Sequence, residues 1–146
     1  MMAESLTSPQ DFAWLVDDFV GRVHGVTHAL VMSSDGFPLT ASNSVTTEDA
    51  EQLAAIACGL LSLAHNGAAL FGKGACEQIM IRMSDGYFLF MGIGSGAGFA
   101  VLTGPGCDMK VVGYEMTQFV RNAGHVLTPE VRADLRRVLS ARRTQA

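Results

Sequence analysis

Residues 28–42, HALVMSSDGFPLTAS, carry the local signal that decides the fold. Val26 to Ser33 has strand character, with Ala29-Leu30-Val31-Met32 as a continuous apolar run. Ser34-Asp35-Gly36 follows as a hairpin turn, because glycine accepts positive φ and aspartate bonds its own backbone locally. Phe37 to Ala41 returns as a second strand. Pro38 cannot donate to a ladder, which makes this strand an edge strand or an irregular one.

Upstream, Ser8-Pro9-Gln10-Asp11 reads as a helix start, with Ser8 as N-cap and Pro9 at the first helical position. Phe12, Leu15, Val16, Phe19 and Val23 recur at helical spacing, with Asp17, Asp18 and Arg22 on the other side. This predicts an amphipathic helix over 8–23, followed by Gly25. Downstream, Thr46 caps a helix whose first turn carries Glu48, Asp49 and Glu51, acids that suit the positive end of its dipole. Glu77 to Ser84 is a third strand and Ser84-Asp85-Gly86 a second turn. Tyr87-Phe88-Leu89-Phe90-Met91 is apolar on both faces and reads as a central strand covered on both sides. Phe99 to Leu102 is the fifth strand. Residues 107–123 form a helix with Val111, Val112, Met116, Phe119 and Val120 inward, ended by Gly124. Thr128-Pro129-Glu130 opens a last, basic helix. Two hairpin units and one helical crossover imply an α/β domain: a five-stranded, mainly antiparallel sheet with helices on both faces.

The composition agrees with one domain over 1–146, with a core at about 8–126 and a basic helical tail at about 127–146. Hydrophobic residues are 49% of the 146 and charged ones 16%, against a usual ~25% charged. Such a chain buries a core without staples and covers some apolar surface with a partner. A net charge of −4 argues against a general nucleic-acid binder. The charge is uneven. Residues 1–51 carry eight acids and one base, 52–129 four of each, and 130–146 five arginines and two acids. The arginines of the tail (Arg132, Arg136, Arg137, Arg142, Arg143) read as a solvated helix or as a docking surface for an acidic partner. Three cysteines, Cys58, Cys76 and Cys107, form no CxxC and point to a reducing compartment. The start MMAESLTSPQDFAW lacks the basic and apolar regions of a secretory signal, so a cytoplasmic location is expected.

The segment 52–72, QLAAIACGLLSLAHNGAALFG, has no charge. Its length fits a membrane span, but Gln52, Ser62, His65 and Asn66 and the absence of a flanking basic cluster speak against one. Leu53, Ile56, Leu60 and Leu63 lie on one face; Ala54, Ala57 or Cys58, Leu61, His65 and Ala68 lie on the other. A helix apolar all round is buried all round. One side lies on its own sheet. The small residues Ala54, Ala55, Cys58 and Ser62 then let a second copy approach, giving a two-fold homodimer whose expected interface is Ala54, Ala55, Cys58, Leu61, Ser62 and His65.

No signature of catalysis or cofactor binding emerges. Gly92-Ile-Gly94-Ser-Gly96-Ala-Gly98 lies between two strands and lacks the spacing of a dinucleotide fingerprint. Phe71-Gly-Lys73-Gly lacks the leading glycine and the Ser/Thr of a phosphate loop. His24, His28, His65 and His125 show no metal-ligand spacing. Asp35 and Asp85 are turn residues. No catalytic residue, cofactor or metal is expected.

HALVMSSDGFPLTAS, the acid-capped Ala/Leu-rich helix, and QIMIRMSDGYFLFMGIGSGAGFAVLTGP together resemble the roadblock/LC7 family. The likeness is to the bacterial branch encoded beside small Ras-like GTPases, and it covers about residues 9–124. It implies a profilin-like three-layer sandwich of strand order 2-1-5-4-3, and homodimers joined through the second helix and the third-strand edge. It further implies a non-enzymatic adaptor whose partners are itself, a small Ras-like GTPase and a sensor kinase-like protein. A scaffold in a larger signalling or motor-like assembly without effect on nucleotide turnover, and an enzyme or small-ligand sensor, are the rival readings. Docking by Arg132, Arg136 and Arg137 lies outside the resembling region.

Overall fold

A computed structural model of the chain describes residues 9–94 and 96–145, with side chains from 11 to 141. The expected cap Ser8 and the side chains of Arg142 and Arg143 lie outside the described residues. Four helices and five strands follow one another as α1 (Pro9–Arg22), β1 (Val26–Ser33), β2 (Pro38–Ala41), α2 (Thr47–Leu70), β3 (Gln78–Met83), β4 (Gly86–Ile93), β5 (Ala97–Thr103), α3 (Met109–Ala123) and α4 (Pro129–Gln145). The strands form one antiparallel sheet in the order β2-β1-β5-β4-β3. The edge position read from Pro38 is therefore found. β2 begins at Pro38 rather than Phe37, and its register against β1 shifts between Val31 and Met32.

Alternation along the strands builds two cores. Ala29, Val31, Leu39, Leu89, Met91, Phe99 and Val101 face one side of the sheet, beneath α1 and α3. Phe19, Phe99 and Phe119 join that layer through their rings: Phe99 stacks on Phe119 with centroids 4.1 Å apart, and Phe19 meets Phe99 edge-on at 5.1 Å. Leu30, Met32, Phe88, Phe90 and Ala100 face the other side, beneath α2. β4 is buried on both faces, as its unbroken apolar run requires.

The hairpin turn at Asp35-Gly36 forms as expected, with Gly36 at φ +91° and its N–H donating to the Ser33 carbonyl. Thr46 caps α2 by accepting from the Asp49 N–H at 3.1 Å. The start of α3 differs from the expected 107. Asp108 is its cap, accepting from the Lys110 N–H, and Cys107 stays outside, its thiol donating to the Thr103 hydroxyl at 3.2 Å. Val112 and Met116 are buried, whereas Val111, expected inward, is 48% exposed.

α4 lies against β2 and touches both α1 and α2. Leu135 and Leu139 are its buried anchors. All four residues of β2 are buried, so this edge of the sheet is closed. β3, at the other edge, is paired on one side only and is largely exposed.

Candidate functional site

The surface that stands out is the outer side of α2 together with the β3 edge. α2 has 24 residues, of which Ala50, Ala54 and Ala57 are buried. At ~1.5 Å per residue such a helix is ~36 Å long. Its inner stripe is alanine because the sheet beneath supplies bulk from Leu30, Met32, Phe88 and Phe90, and small side chains let helix and sheet approach closely. The large residues point away: Ile56 is 55% exposed, Leu63 70%, Leu70 76% and Phe71 73%. By length and composition the helix also meets the criteria for crossing a bilayer. Withdrawing it, however, would strip the cover from Leu30, Met32, Phe88 and Phe90.

The expected interface residues divide between the two sides of α2. Ala54 is wholly buried on its own sheet, so it does not belong to an outer interface. The phase differs from the expected one: Ala54 and Ala57 face the sheet with Leu53, Leu60 and Leu61 packed beside them, while Ile56, Leu63 and Leu70 face out. Leu61 packs partly against the inner core. Cys58 is half-buried, and its thiol donates to the Ser34 carbonyl at 3.3 Å. Ala55, Ser62 and His65 are exposed. The Nδ1 of His65 accepts from the Cys76 N–H at 3.3 Å, tying α2 to the strand that leads into β3. Ile56, Leu63 and Leu70 belong to the outer face although the sequence reading left them out of the interface.

Two of the described tail arginines, Arg132 and Arg136, turn back on their own chain. Arg136 donates to both Asp35 carboxylate oxygens, at 2.8 and 3.1 Å, and to the Ser33 hydroxyl at 3.0 Å. Its guanidinium also lies 4.6 Å from the centre of the Phe37 ring. Arg132 lies against Gly96 so closely that a side chain there would collide with its guanidinium. Arg137 pairs with Asp134 on the same helix and stays exposed. Arg132 and Arg136 thus form an internal clasp over the tips of two turns. Arg82 of β3 is exposed.

The Ser33 hydroxyl, and then the Arg136 guanidinium, hold the Asp35 carboxyl below the usual carboxylate range. Because the folded value is depressed, this pair contributes above the ordinary carboxylate pKa and is lost as pH falls below it. Both side chains are well exposed, so the pair contributes only ~0.2–1 kcal/mol. The apolar anchors outweigh it. Leu135→Ala is expected to speed hydrogen exchange of the α4 amides at neutral pH by ~30-fold or more, the equivalent of ~2 kcal/mol. Asp35→Asn should speed it by no more than ~5-fold. Equal effects of the two substitutions would contradict this ordering.

Among the described residues, no group of three or more His, Cys, Asp or Glu side chains is placed to hold a metal ion. What the site offers is apolar area and an open strand edge, which suit association with a protein.

Comparison with protein families matches residues 12–103 to the Roadblock/LC7 domain. Among solved structures, a Roadblock/LC7 domain from Streptomyces avermitilis is 31% identical at a TM-score of 0.74, covering 80% of this chain and 98% of the other. A second structure of a Roadblock/LC7 domain from Streptomyces avermitilis is 38% identical at 0.62, covering 75% and 94%. MglB of Myxococcus xanthus shares the fold at 11% identity and a TM-score of 0.75, over 81% and 88%. Comparison with curated proteins gave no match. The matched stretch runs from the core of α1 to the end of β5 and includes the SDG hairpin, the uncharged helix and the whole sheet: the chain belongs to the Roadblock/LC7 domain family.

Proposed function

We propose that this protein is a homodimeric adaptor that binds a small Ras-like GTPase and regulates its nucleotide cycle. The observation that carries the proposal is the outer face of α2, with Ile56, Leu63, Leu70 and Phe71 exposed beside the open β3 edge. Scattered apolar residues on a surface are ordinary, but a contiguous apolar helix face beside a free edge marks an interaction surface. A second copy of the chain fits it. Ala55, Gly59 and Ser62 are small and exposed on this side of α2, so two such helices can pack at the usual ~8–10 Å between axes. Leu63 and Ile56 then meet apolar partners across a two-fold axis. The membrane alternative leaves the capped first half of α2 without its sheet; the dimer keeps both.

The GTPase is inferred from family resemblance, since fold alone does not assign a partner. The docking surface is placed on the paired α2 helices and their flanking loops, with the exposed Arg137 as a further contact. The mechanism is population shift. By binding one GTPase conformation more tightly than the other, the adaptor biases their equilibrium by the differential affinity. It requires no catalytic residue or cofactor in this chain and acts in the cytoplasm. A sensor kinase-like protein is a further proposed partner.

The test is to measure GTP hydrolysis and nucleotide exchange by the cognate GTPase with and without this protein. A regulator changes one of the two rates by ~5-fold or more, corresponding to a coupling of ~1 kcal/mol or more. Binding with both rates unchanged would replace the regulator by a scaffold.

A further inference from the structure

On the face of the sheet opposite α2, the helical layer is incomplete. α1 packs on β1 and β2, and α3 packs on β4. On this face β3 presents Gln78, Met80 and Arg82, the register partners of Met91, Leu89 and Tyr87. Met80 is 53% exposed, and Gln78 and Arg82 are exposed too. Between β3 and α3 runs an open groove of about 580 Å³. Lys110, Tyr114, Thr117 and Arg121 line it from α3 at one-turn intervals, with Gln78 and Met91 at its floor. Tyr114 is 64% exposed.

The groove combines positive charge with apolar area. Lys110 and Arg121 line it without any acid, and neither is in an ion pair among the described residues. The acid of α3, Glu115, is turned to the far side, where it pairs with Arg22 of α1 at 3.0 Å. Asp108 is occupied as the helix cap. Lys110 and Arg121 in the groove, with Arg82 exposed on the same face of the adjoining strand, give this face a positive character on a chain of net charge −4. Gly113 lies midway along the groove, and a side chain there would meet nothing within 4 Å. Glycine inside a helix costs ~0.5–1 kcal/mol relative to alanine, and here it keeps the groove open.

A helix placed beside α3 at the usual ~8–10 Å lies about two strand spacings of ~4.8 Å out from β4, along the outer side of β3. It would complete the layer. We propose that this groove is a docking site for an acidic amphipathic helix of another protein. Its apolar stripe meets Met80 and Tyr114, and its carboxylates meet Lys110, Arg121 and Arg82. The site lies on the sheet face opposite α2, is lined from one protomer, and adjoins the β3 edge of the proposed dimer surface.

Two synthetic amphipathic peptides with the same leucine stripe test it, one carrying glutamates on its polar face and the other lysines. Titration of the full-length protein by fluorescence anisotropy should show the glutamate peptide binding ~10-fold or more tightly than the lysine peptide, the equivalent of one or two charge contacts. Raising the salt should weaken it. The double variant Lys110→Glu/Arg121→Glu should lose ~10-fold or more in affinity for the glutamate peptide. Gly113→Leu should do the same by filling the groove, while the replacement of glycine favours the helix. No binding of the glutamate peptide, equal binding of both peptides, or unchanged affinity in either variant would overturn the proposal. The solution mass of each sample reports the dimer separately, so failure of one idea is distinguishable from failure of the other.

Discussion

Leu63→Glu is expected to convert the proposed dimer to a folded monomer. Leu63 is 70% exposed in the single chain and lies on the outer side of α2, so the substitution removes nothing from the core of the protomer. In a two-fold interface it occurs twice. Each copy forfeits ~1.5–3 kcal/mol of apolar burial and adds a carboxylate that is desolvated without a partner. The combined loss of ~4–8 kcal/mol raises the dimer dissociation constant by ~10³-fold or more. Analytical ultracentrifugation at micromolar concentration reads the mass directly, and circular dichroism confirms that the protomer is folded. Asn66→Asp, on the same exposed stretch, is a milder version. A Leu63→Glu protein that remains dimeric places the interface elsewhere; a wild-type protein that is monomeric removes the interface altogether.

Phe99→Ala is expected to cost the most stability of any single truncation in the sheet. Phe99 is fully buried in the central strand β5 and stacks on Phe119 while Phe19 meets its edge. It therefore joins α1 and α3 to the sheet at one point. Truncating such a residue costs ~3–5 kcal/mol, a large part of the ~5–15 kcal/mol that stabilises a domain. For a chain of this size the midpoint should fall by ~6–20 °C. Trp14 is the contrast: an equally large aromatic residue, 58% exposed on α1, whose replacement by alanine should change stability by no more than ~0.5 kcal/mol. Thermal unfolding at one protomer concentration compares the two. A loss below ~1 kcal/mol for Phe99→Ala would contradict the packing.

Features written in local chemistry were legible in the sequence. The Asp35-Gly36 turn, the Thr46 cap and the exclusion of Pro38 from a central strand each depend on a few neighbouring residues. The helix signals at Pro9 and Pro129 are of the same kind. The orientation of α2 was not legible, because a helix apolar on every side has no phase to read. The alanines at 50, 54 and 57 belong inside only once Phe88 and Phe90 are known to project beneath them. The deletion of Ala54 from the interface and the addition of Ile56, Leu63 and Leu70 follow from that. Val111 is exposed because α3 packs through the stripe of Val112 and Met116, and Val111 is turned ~100° from its neighbour Val112. Arg136 and Asp35 lie 101 residues apart, beyond any spacing rule. The alternation of Lys110, Tyr114, Thr117 and Arg121 was a detectable signal, but its meaning required the bare β3 beside it.

The most direct measurement is capture of a small Ras-like GTPase by the purified protein, with GDP and with a non-hydrolysable GTP analogue in parallel, and with the Leu63→Glu variant as control. The expected result is retention ~10-fold stronger in one nucleotide state, as a differential affinity of ~1.4 kcal/mol requires, and its loss with the variant. Failure to retain any such GTPase in either state would contradict the proposed function.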